Sequence, residues 1–231
     1  MIREFVMKSN NEFSIRYYED IINTALDNKY NFVTVKEFID LGCPNSNHFV
    51  LRHDLDRQPK TLQYQLDVEK DCGVRSTIYA RVTANEYNVL SYPVVGMLRK
   101  AQRDGFEVGL HSNFLEYATI NNLNPMDVLK LEYTVLNNIF DIRGIAPHRD
   151  MNYAYNSLPY IEENWKDIQD LGFEYQAYDE SIFSSSVYIN EGVNLHLGWR
   201  NHKPEDIIPT NKTIYMMTHN HWWYKNHPFE D

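Results

Sequence analysis

The stretch that decides the fold is HFVLRHDLDRQPKTLQYQLDVEKDCGVRSTIYARV, residues 48–82. The apolar run at its start is typical of a buried strand, and this strand delivers the polar residues His53, Asp54 and Asp56. Residues 59–71 then predict a helix closed by a glycine, and the alternating, β-branched run 75–82 predicts a second strand. A strand, a helix and a strand in this order form a βαβ unit, so the two strands are expected to be parallel.

The same alternation continues along the chain. Helices are predicted over 14–29, 35–41, 93–103, 125–140 and 160–171, and further strands over 106–110, 144–146, 173–178, 193–197 and 212–217. This order indicates the α/β class, with a parallel sheet or barrel. A length of 231 residues favours one large domain, so we predict a single domain over 1–231 with a helical lead-in over 1–46.

Composition excludes several classes of protein. Hydrophobic residues make up 43% and charged residues 23%, which is ordinary for a folded domain and unlike a disordered or collagen-like chain. With 22 Lys+Arg against 32 Asp+Glu, the charge of -10 disfavours nucleic acid or anionic lipid as a partner. The only cysteines, Cys43 and Cys72, form no C-x-x-C pair, and no apolar run has membrane length or resembles a signal peptide. We therefore expect a cytoplasmic protein with reduced thiols and no membrane span.

Polar side chains with useful chemistry follow four predicted strands. They comprise the His53–Asp56 segment, His111, the His148-Arg149 pair and His219. Because the carboxyl ends of parallel strands lie on one face of an α/β fold, these groups are expected to converge there.

Asp56, His111 and His148 offer the oxygen and imidazole ligands that zinc or another divalent cation accepts. Asp54 is a candidate general base, His219 a candidate acid, and Arg149 a candidate for orienting Asp54. Simpler interpretations remain open at this stage.

Those simpler interpretations are structural. Asp56 could cap the following helix, and Asp54 could form a turn. His111 could bond only to backbone, His219 could be a surface histidine, and Arg149 could be a solvated salt-bridge partner. The Trp222-Trp223 pair could wall a sugar site or pack in the core, and His196 could face the cleft.

The motifs resemble, in order, those of the polysaccharide deacetylases with the NodB-homology fold, carbohydrate esterase family 4. Residues 49–56 resemble the first motif, in the R-H-D-x-D form of divergent members that accompany surface-polysaccharide genes. Residues 105–112 resemble the second, 144–149 lie where the arginine-bearing third motif falls, and 218–222 resemble the last, histidine-bearing motif. The resemblance covers roughly residues 30–225.

The resemblance implies a deformed (β/α)7-type barrel with its catalytic face at the carboxyl ends of the strands. It implies Asp54 as base, Asp56 and His111 as metal ligands, and His219 as acid. The second motif usually carries two histidines four residues apart, but position 115 here is Leu115. His148 is our candidate for the third ligand and His53 is the reserve, although alternation beside Asp54 points His53 away.

The resulting prediction is a metal-dependent hydrolase, with zinc as the expected cation, that removes an acetyl group from an N-acetylated sugar or a sugar-linked intermediate of surface polysaccharide biosynthesis. Two alternatives stay open. A catalytically silent glycan-binding protein is favoured by Leu115, and another amide hydrolase acting on a small molecule would share every metal ligand.

Overall fold

The structure is a computed structural model that describes residues 13–148, 156–191 and 198–226. Its centre is one sheet in which every named strand pairing is parallel. The strands are β1 (Asn31–Val33), β2 (His48–Leu55), β3 (Thr77–Arg81), β4 (Glu107–Ser112), β5 (Ile142–Pro147), β6 (Tyr175–Gln176), β7 (Val187–Asn190) and β8 (Ile214–His219).

Helices alternate with these strands. They are α1 (Ile15–Asp27), α2 (Val35–Asp40), α3 (Pro59–Asp71), α4 (Tyr92–Arg103), α5 (Phe114–Asn121), α6 (Pro125–Asn137), α7 (Ser157–Glu163), α8 (Trp165–Asp170), α9 (Glu180–Ser185) and α10 (Pro204–Ile207). Short 3-10 turns cover Ile208–Thr210 and Asn220–Trp222.

The strand order β6-β5-β4-β3-β2-β8-β7 makes a curled sheet of seven strands, with β1 paired to β2 outside this path. In the part of the chain that the structure describes, no pairing joins β6 to β7, so the barrel is open at that seam. The α/β class and the deformed (β/α)7-type barrel predicted from the sequence are confirmed.

Local sequence explains where the first helices begin. Ser14 caps α1 by accepting a hydrogen bond from the Tyr17 backbone, and Thr34 and Glu37 form a capping box at α2. Pro59 occupies the first turn of α3, where its missing N–H leaves no bond unmade.

The prediction differs from the structure in several elements. The helix predicted over 160–171 is two helices, α7 and α8, that meet at Asn164, which is not in a helical conformation. Strands β1 and β7 and helices α5 and α9 were not predicted, and the strand predicted over 193–197 lies outside the described residues. Short elements carry too few residues for a periodic pattern to show.

Alternation along the strands sorts the side chains into two sets. In β2, Phe49 and Leu51 pack in an outer cluster against α1, whereas Val50 packs inside the barrel with Tyr79 and Tyr215. Because the period is two, Arg52 and Asp54 follow Val50 to the inside. The interior is therefore a layered column of aromatic and charged groups.

Helix α2 closes the amino-terminal end of this column. Its first backbone amides donate to side chains at the starts of two strands, Val35 to Thr77 Oγ1 at 2.8 Å and Lys36 to Glu107 Oε2 at 3.1 Å. With that end closed, the carboxyl ends of the strands are where the interior can open to a ligand.

Two glycines make room for the interior aromatic rings. A Cβ at Gly109 would lie 2.5 Å from Tyr79 Cε1, and one at Gly144 would lie 2.0 Å from Tyr175 Cζ. Both distances are far below van der Waals contact, so a side chain at either position would force the rings aside.

We expect Gly144→Ala to lower the free energy of unfolding by about 1–3 kcal/mol, because the methyl group overpacks the column. The matched control is Gly96→Ala in α4, where nothing lies within 4 Å and the backbone is helical. That change should stabilise by about 0.5–1 kcal/mol. Urea unfolding measures both, and equal effects of the two substitutions would contradict the packing described here.

Candidate functional site

The carboxyl ends of the strands bring together five of the residues singled out in the sequence. Asp54 and Asp56 come from the end of β2, His111 from β4, His148 from the residue after β5, and His219 from the end of β8. The strand register places Asp54 beside His219. Arg149, the sixth, and His196 lie outside the described residues.

Three of these residues form a candidate cation site. The Oδ1 atom of Asp56 lies 3.3 Å from His111 Nε2 and 3.3 Å from His148 Nε2, and the three ligand atoms are all within 4.8 Å of one another. Ligand atoms about 2.1 Å from a zinc ion at tetrahedral angles lie roughly 3.4 Å apart. The spacing therefore suits a first-row dication with an open coordination position.

Hydrogen bonds orient both imidazoles. His111 Nδ1 donates to the Ala146 carbonyl at 2.8 Å, which leaves the Nε2 lone pair directed at Asp56. The backbone amide of His148 donates to the Ser112 carbonyl at 2.7 Å, and this bond ties the third ligand to the end of β4. The two rings meet edge to face with centroids 4.9 Å apart.

The polar atoms at this point fit a bound cation. Asp56 Oδ1 and His111 Nε2 are both buried, and neither makes a hydrogen bond within the described chain. Burial alone would raise the pKa of Asp56, but the imidazoles of His111 and His148, each 3.3 Å from its Oδ1, hold it well below the ordinary value. An ionised carboxylate facing two imidazole rings is a donor set for a divalent ion.

Two alternatives for the ligands can now be compared with the structure. His53 points away from the site, as alternation predicted, because its Nε2 lies 2.6 Å from Glu69 Oε1 and its Nδ1 lies 2.6 Å from Thr218 Oγ1. Leu115 lies in α5 and packs against a second apolar cluster, which includes Leu110 and Phe114. His148 is therefore the imidazole that stands in the third ligand position.

Asp54 lies next to the cation site and is held by an arginine. Arg52 Nε donates to Asp54 Oδ1 at 3.0 Å and Arg52 Nη2 donates to Oδ2 at 2.7 Å, which is a two-pronged charged pair. Burial by itself would raise the pKa of Asp54, but the charge and hydrogen bonds of Arg52, together with the nearby His111 and His219, outweigh burial and lower the pKa. Asp54 Oδ2 also lies 3.7 Å from His111 Nε2, so the ionised carboxylate faces the cation position.

Arg52 is a site residue that was not singled out from the sequence. Its guanidinium is fully buried, donates to the hydroxyl groups of Tyr215 at 2.8 Å and Tyr178 at 3.0 Å, and lies over the Tyr178 ring at 4.7 Å. The role expected of Arg149, orienting Asp54, is filled among the described residues by Arg52. Strand alternation, applied one step back from Asp54, is the signal that could have found it.

His219 is paired with a buried carboxylate. Its Nδ1 lies 3.2 Å from Glu191 Oε2, its backbone amide donates to Glu191 Oε1 at 2.9 Å, and its Nε2 lies 3.8 Å from Asp56 Oδ2. Burial alone would lower the pKa of His219, but the hydrogen bond and the charge of Glu191 outweigh it and raise the pKa to about 9. The imidazole is thus held as a proton donor.

The aromatic pair near the last motif has a structural use. Trp223 is 1% exposed, packs in the outer cluster, and its indole N–H donates to Glu191 Oε1 at 2.7 Å. Trp222 is partly buried against the same cluster. Core packing is therefore the interpretation that the structure supports for Trp223, which also fixes the carboxylate partner of His219.

Comparison with known proteins gives one informative match. No family model matches the sequence, and a search of curated proteins finds no match. A solved structure from Bordetella bronchiseptica, provisionally assigned as a polysaccharide deacetylase involved in O-antigen biosynthesis, is similar at a TM-score of 0.52 and 16% identity. The alignment covers 85% of this chain and 81% of that one, so the two proteins share a fold.

Hydropathy of the helices adds one observation. Among the described residues, no helix combines the length and the apolar character that crossing a bilayer requires.

The cation site predicts that the metal-free protein binds about one Zn²⁺ per chain. We expect His111→Ala or His148→Ala to weaken zinc binding by more than about 100-fold, because each removes a ligand. Loss of a residue that only hydrogen-bonds to a ligand already costs roughly 10–100-fold. Competition with a chromophoric chelator measures this, and His48→Ala, half-exposed and distant in the sheet, is the control. If His148→Ala kept the wild-type affinity, the third ligand would not be His148.

The Glu191 contact predicts the titration of His219 in the metal-free protein. Replacing Glu191 by Gln removes the negative charge that stabilises the imidazolium, so the pKa of His219 should fall from about 9 toward 6.5. NMR titration of the histidine ring resonances measures it, with Glu180→Gln on the exposed side of α9 as the control. An unchanged midpoint in Glu191→Gln would show that another group holds the proton.

Proposed function

We propose that this protein is a metal-dependent N-deacetylase that hydrolyses the acetamido group of an N-acetylated sugar. The observation that carries the proposal is the arrangement at one end of the barrel. The three-ligand cation site lies between a carboxylate paired with Arg52 and an imidazole paired with Glu191. With a cation bound, the site would offer a base, a Lewis acid and a proton donor within reach of one reacting group.

The cation, when bound, supplies a Lewis acid that polarises the amide carbonyl and makes a water molecule easier to deprotonate. Asp56, His111 and His148 would hold it, and zinc is the cation that this oxygen and imidazole set fits best. Of these three residues, His111 is buried, and Asp56 and His148 are half-buried.

The residues around the site divide the proton transfers. Asp54 takes a proton from the attacking water as its oxygen adds to the carbonyl carbon, and Arg52 keeps the carboxylate ionised and correctly turned. His219 gives its proton to the amide nitrogen as the carbon–nitrogen bond breaks. The products are acetate and a free amine. Asp54 then releases its proton to solvent and His219 takes one up, which returns the site to its starting state.

The substrate class rests on further support. The fold is shared with a protein provisionally assigned to O-antigen biosynthesis, and the motifs resemble those of the polysaccharide deacetylases. We therefore propose that the acetylated sugar belongs to a surface polysaccharide or to one of its linked intermediates. Cytoplasmic action on such an intermediate is part of the proposal.

The test is acetate release by the zinc-loaded protein from a panel of N-acetylated sugars and their nucleotide-linked forms. At least one donor should release acetate, and Asp54→Asn should reduce kcat by about 10²–10⁴-fold, because it removes the base and leaves the metal ligands intact. Asp67→Asn on the exposed face of α3 should behave like the wild type.

Different outcomes separate this proposal from its rivals. Zinc binding with no acetate release, but with saturable sugar binding, would indicate a silent glycan-binding protein. Hydrolysis of small amides without hydrolysis of any acetylated sugar would indicate another amide hydrolase on the same scaffold. Equal activity of Asp54→Asn and wild type would remove Asp54 from the chemistry.

A further inference from the structure

A second buried arginine points into the site from the neighbouring strand. Arg81 is the last residue of β3, where alternation places it on the interior side together with Thr77 and Tyr79, and it pairs in register with His111. It is 5% exposed. Its backbone amide donates to the Tyr87 hydroxyl at 2.8 Å, and that hydroxyl donates to the Leu55 carbonyl, so the ends of β2 and β3 are tied together.

The guanidinium of Arg81 has few partners for a buried cation. Its Nη1 lies 3.4 Å from His148 Nε2 and 4.0 Å from Asp56 Oδ1. The Nε and Nη2 atoms are buried and make no hydrogen bond within the described chain. Glu132 is near, but its carboxylate is bonded to Ser112 and Thr83 instead. An arginine keeps its charge at any physiological pH. The ion-pair partner of the Arg81 guanidinium in this structure is Asp56.

Arg81 and a bound metal ion would compete for the same atoms. A cation held by Asp56, His111 and His148 takes the Asp56 oxygen and the His148 lone pair that Arg81 contacts in the metal-free structure. Two positive charges would then share one carboxylate in a site that is mostly closed to solvent. Repulsion between the two charges would lower metal affinity. The Arg81 N–H that faces His148 would also lose its acceptor, because the His148 lone pair would be bound to the metal ion.

An N–H released in this way would be available to a carbonyl oxygen of a bound substrate. The carbonyl carbon has to be reached by a water next to Asp54, and the amide nitrogen has to lie near His219. The oxygen is then left on the cation side, which is the side Arg81 occupies. A fixed donor beside an oxygen that gains negative charge stabilises the transition state more than the bound substrate.

We propose that Arg81 is a catalytic residue that donates a hydrogen bond to the acyl oxygen of the substrate, at the cost of weaker metal binding. The first half of this inference rests on the proposed deacetylase function. The second half, competition with the cation, depends only on the contacts of Arg81 with Asp56 and His148.

The experiment compares Arg81→Met and Arg81→Lys with wild type. In Arg81→Met, which removes the charge and keeps the apolar stem, zinc should bind at least about 10-fold tighter in a chelator competition because the repulsion is gone. Its kcat should fall by about 10²–10³-fold with little change in KM, because the lost hydrogen bond acts mainly in the transition state. Arg81→Lys keeps the charge, so zinc affinity should stay near the wild-type value while kcat falls.

Arg103→Met, an exposed arginine of α4, is the matched control and should alter neither quantity. Unchanged or weaker zinc binding in folded Arg81→Met would overturn the competition, and an unchanged kcat in both variants would overturn the catalytic role. If Arg81→Met does not fold, Arg81→Lys still tests the catalytic role. Arg81→Gln then replaces Arg81→Met in the zinc titration.

Failure of the proposed function gives a different result from failure of this inference. If the wild type released no acetate from any donor, the deacetylase proposal and the catalytic role of Arg81 would both fall. The zinc titration would still decide whether Arg81 opposes the cation, because that readout needs no substrate.

Discussion

Two buried carboxylates leave the same strand end two residues apart, and the site depends on how their charges are balanced. Asp54 and Asp56 both point inward from β2, where water cannot solvate them fully. A buried charge is tolerated only when it is paired. Arg52 gives Asp54 a complete partner through two hydrogen bonds. Among the described residues, Asp56 faces three imidazoles at 3.3–3.8 Å and the Arg81 guanidinium at 4.0 Å, and its Oδ1 makes no hydrogen bond. The incomplete pairing of Asp56 is the physical reason to expect a cation there.

The barrel supplies the rest of the site by repetition. Each strand sends every second side chain inward, so residues distant in sequence arrive in the same layer: Arg52 with Thr77, Asp54 with Tyr79, and Arg81 with His111. Gly109 leaves space for Tyr79, whose ring faces the Arg52 guanidinium, and Gly144 leaves space for Tyr175, whose hydroxyl bonds to that of Tyr79. Packing deep in the column therefore controls the orientation of a carboxylate at its mouth.

Sequence patterns predicted the parts of this arrangement that depend on regular elements. The βαβ order gave the fold class, strand ends gave Asp54, Asp56, His111, His148 and His219, and period-two alternation turned His53 outward. Arg52 was missed because attention to strand ends overlooks the interior residue one step earlier on the same face, and Arg81 because the strand predicted over 75–82 runs one residue past it. Glu191 could not be found, since it follows the short strand β7 and is 28 residues from His219 along the chain. A contact between side chains this far apart along the chain has no local signature.

The central claim is that a single cation sits on Asp56, His111 and His148, with Asp54 and His219 beside it but not coordinating. The most direct test is a crystal structure of the zinc-loaded protein with anomalous data collected above and below the zinc edge. The account predicts one strong anomalous peak about 2.0–2.2 Å from one oxygen of Asp56 and from Nε2 of each histidine. A peak coordinated by Asp54 or by surface carboxylates, with these three side chains unchanged and bare, would contradict it.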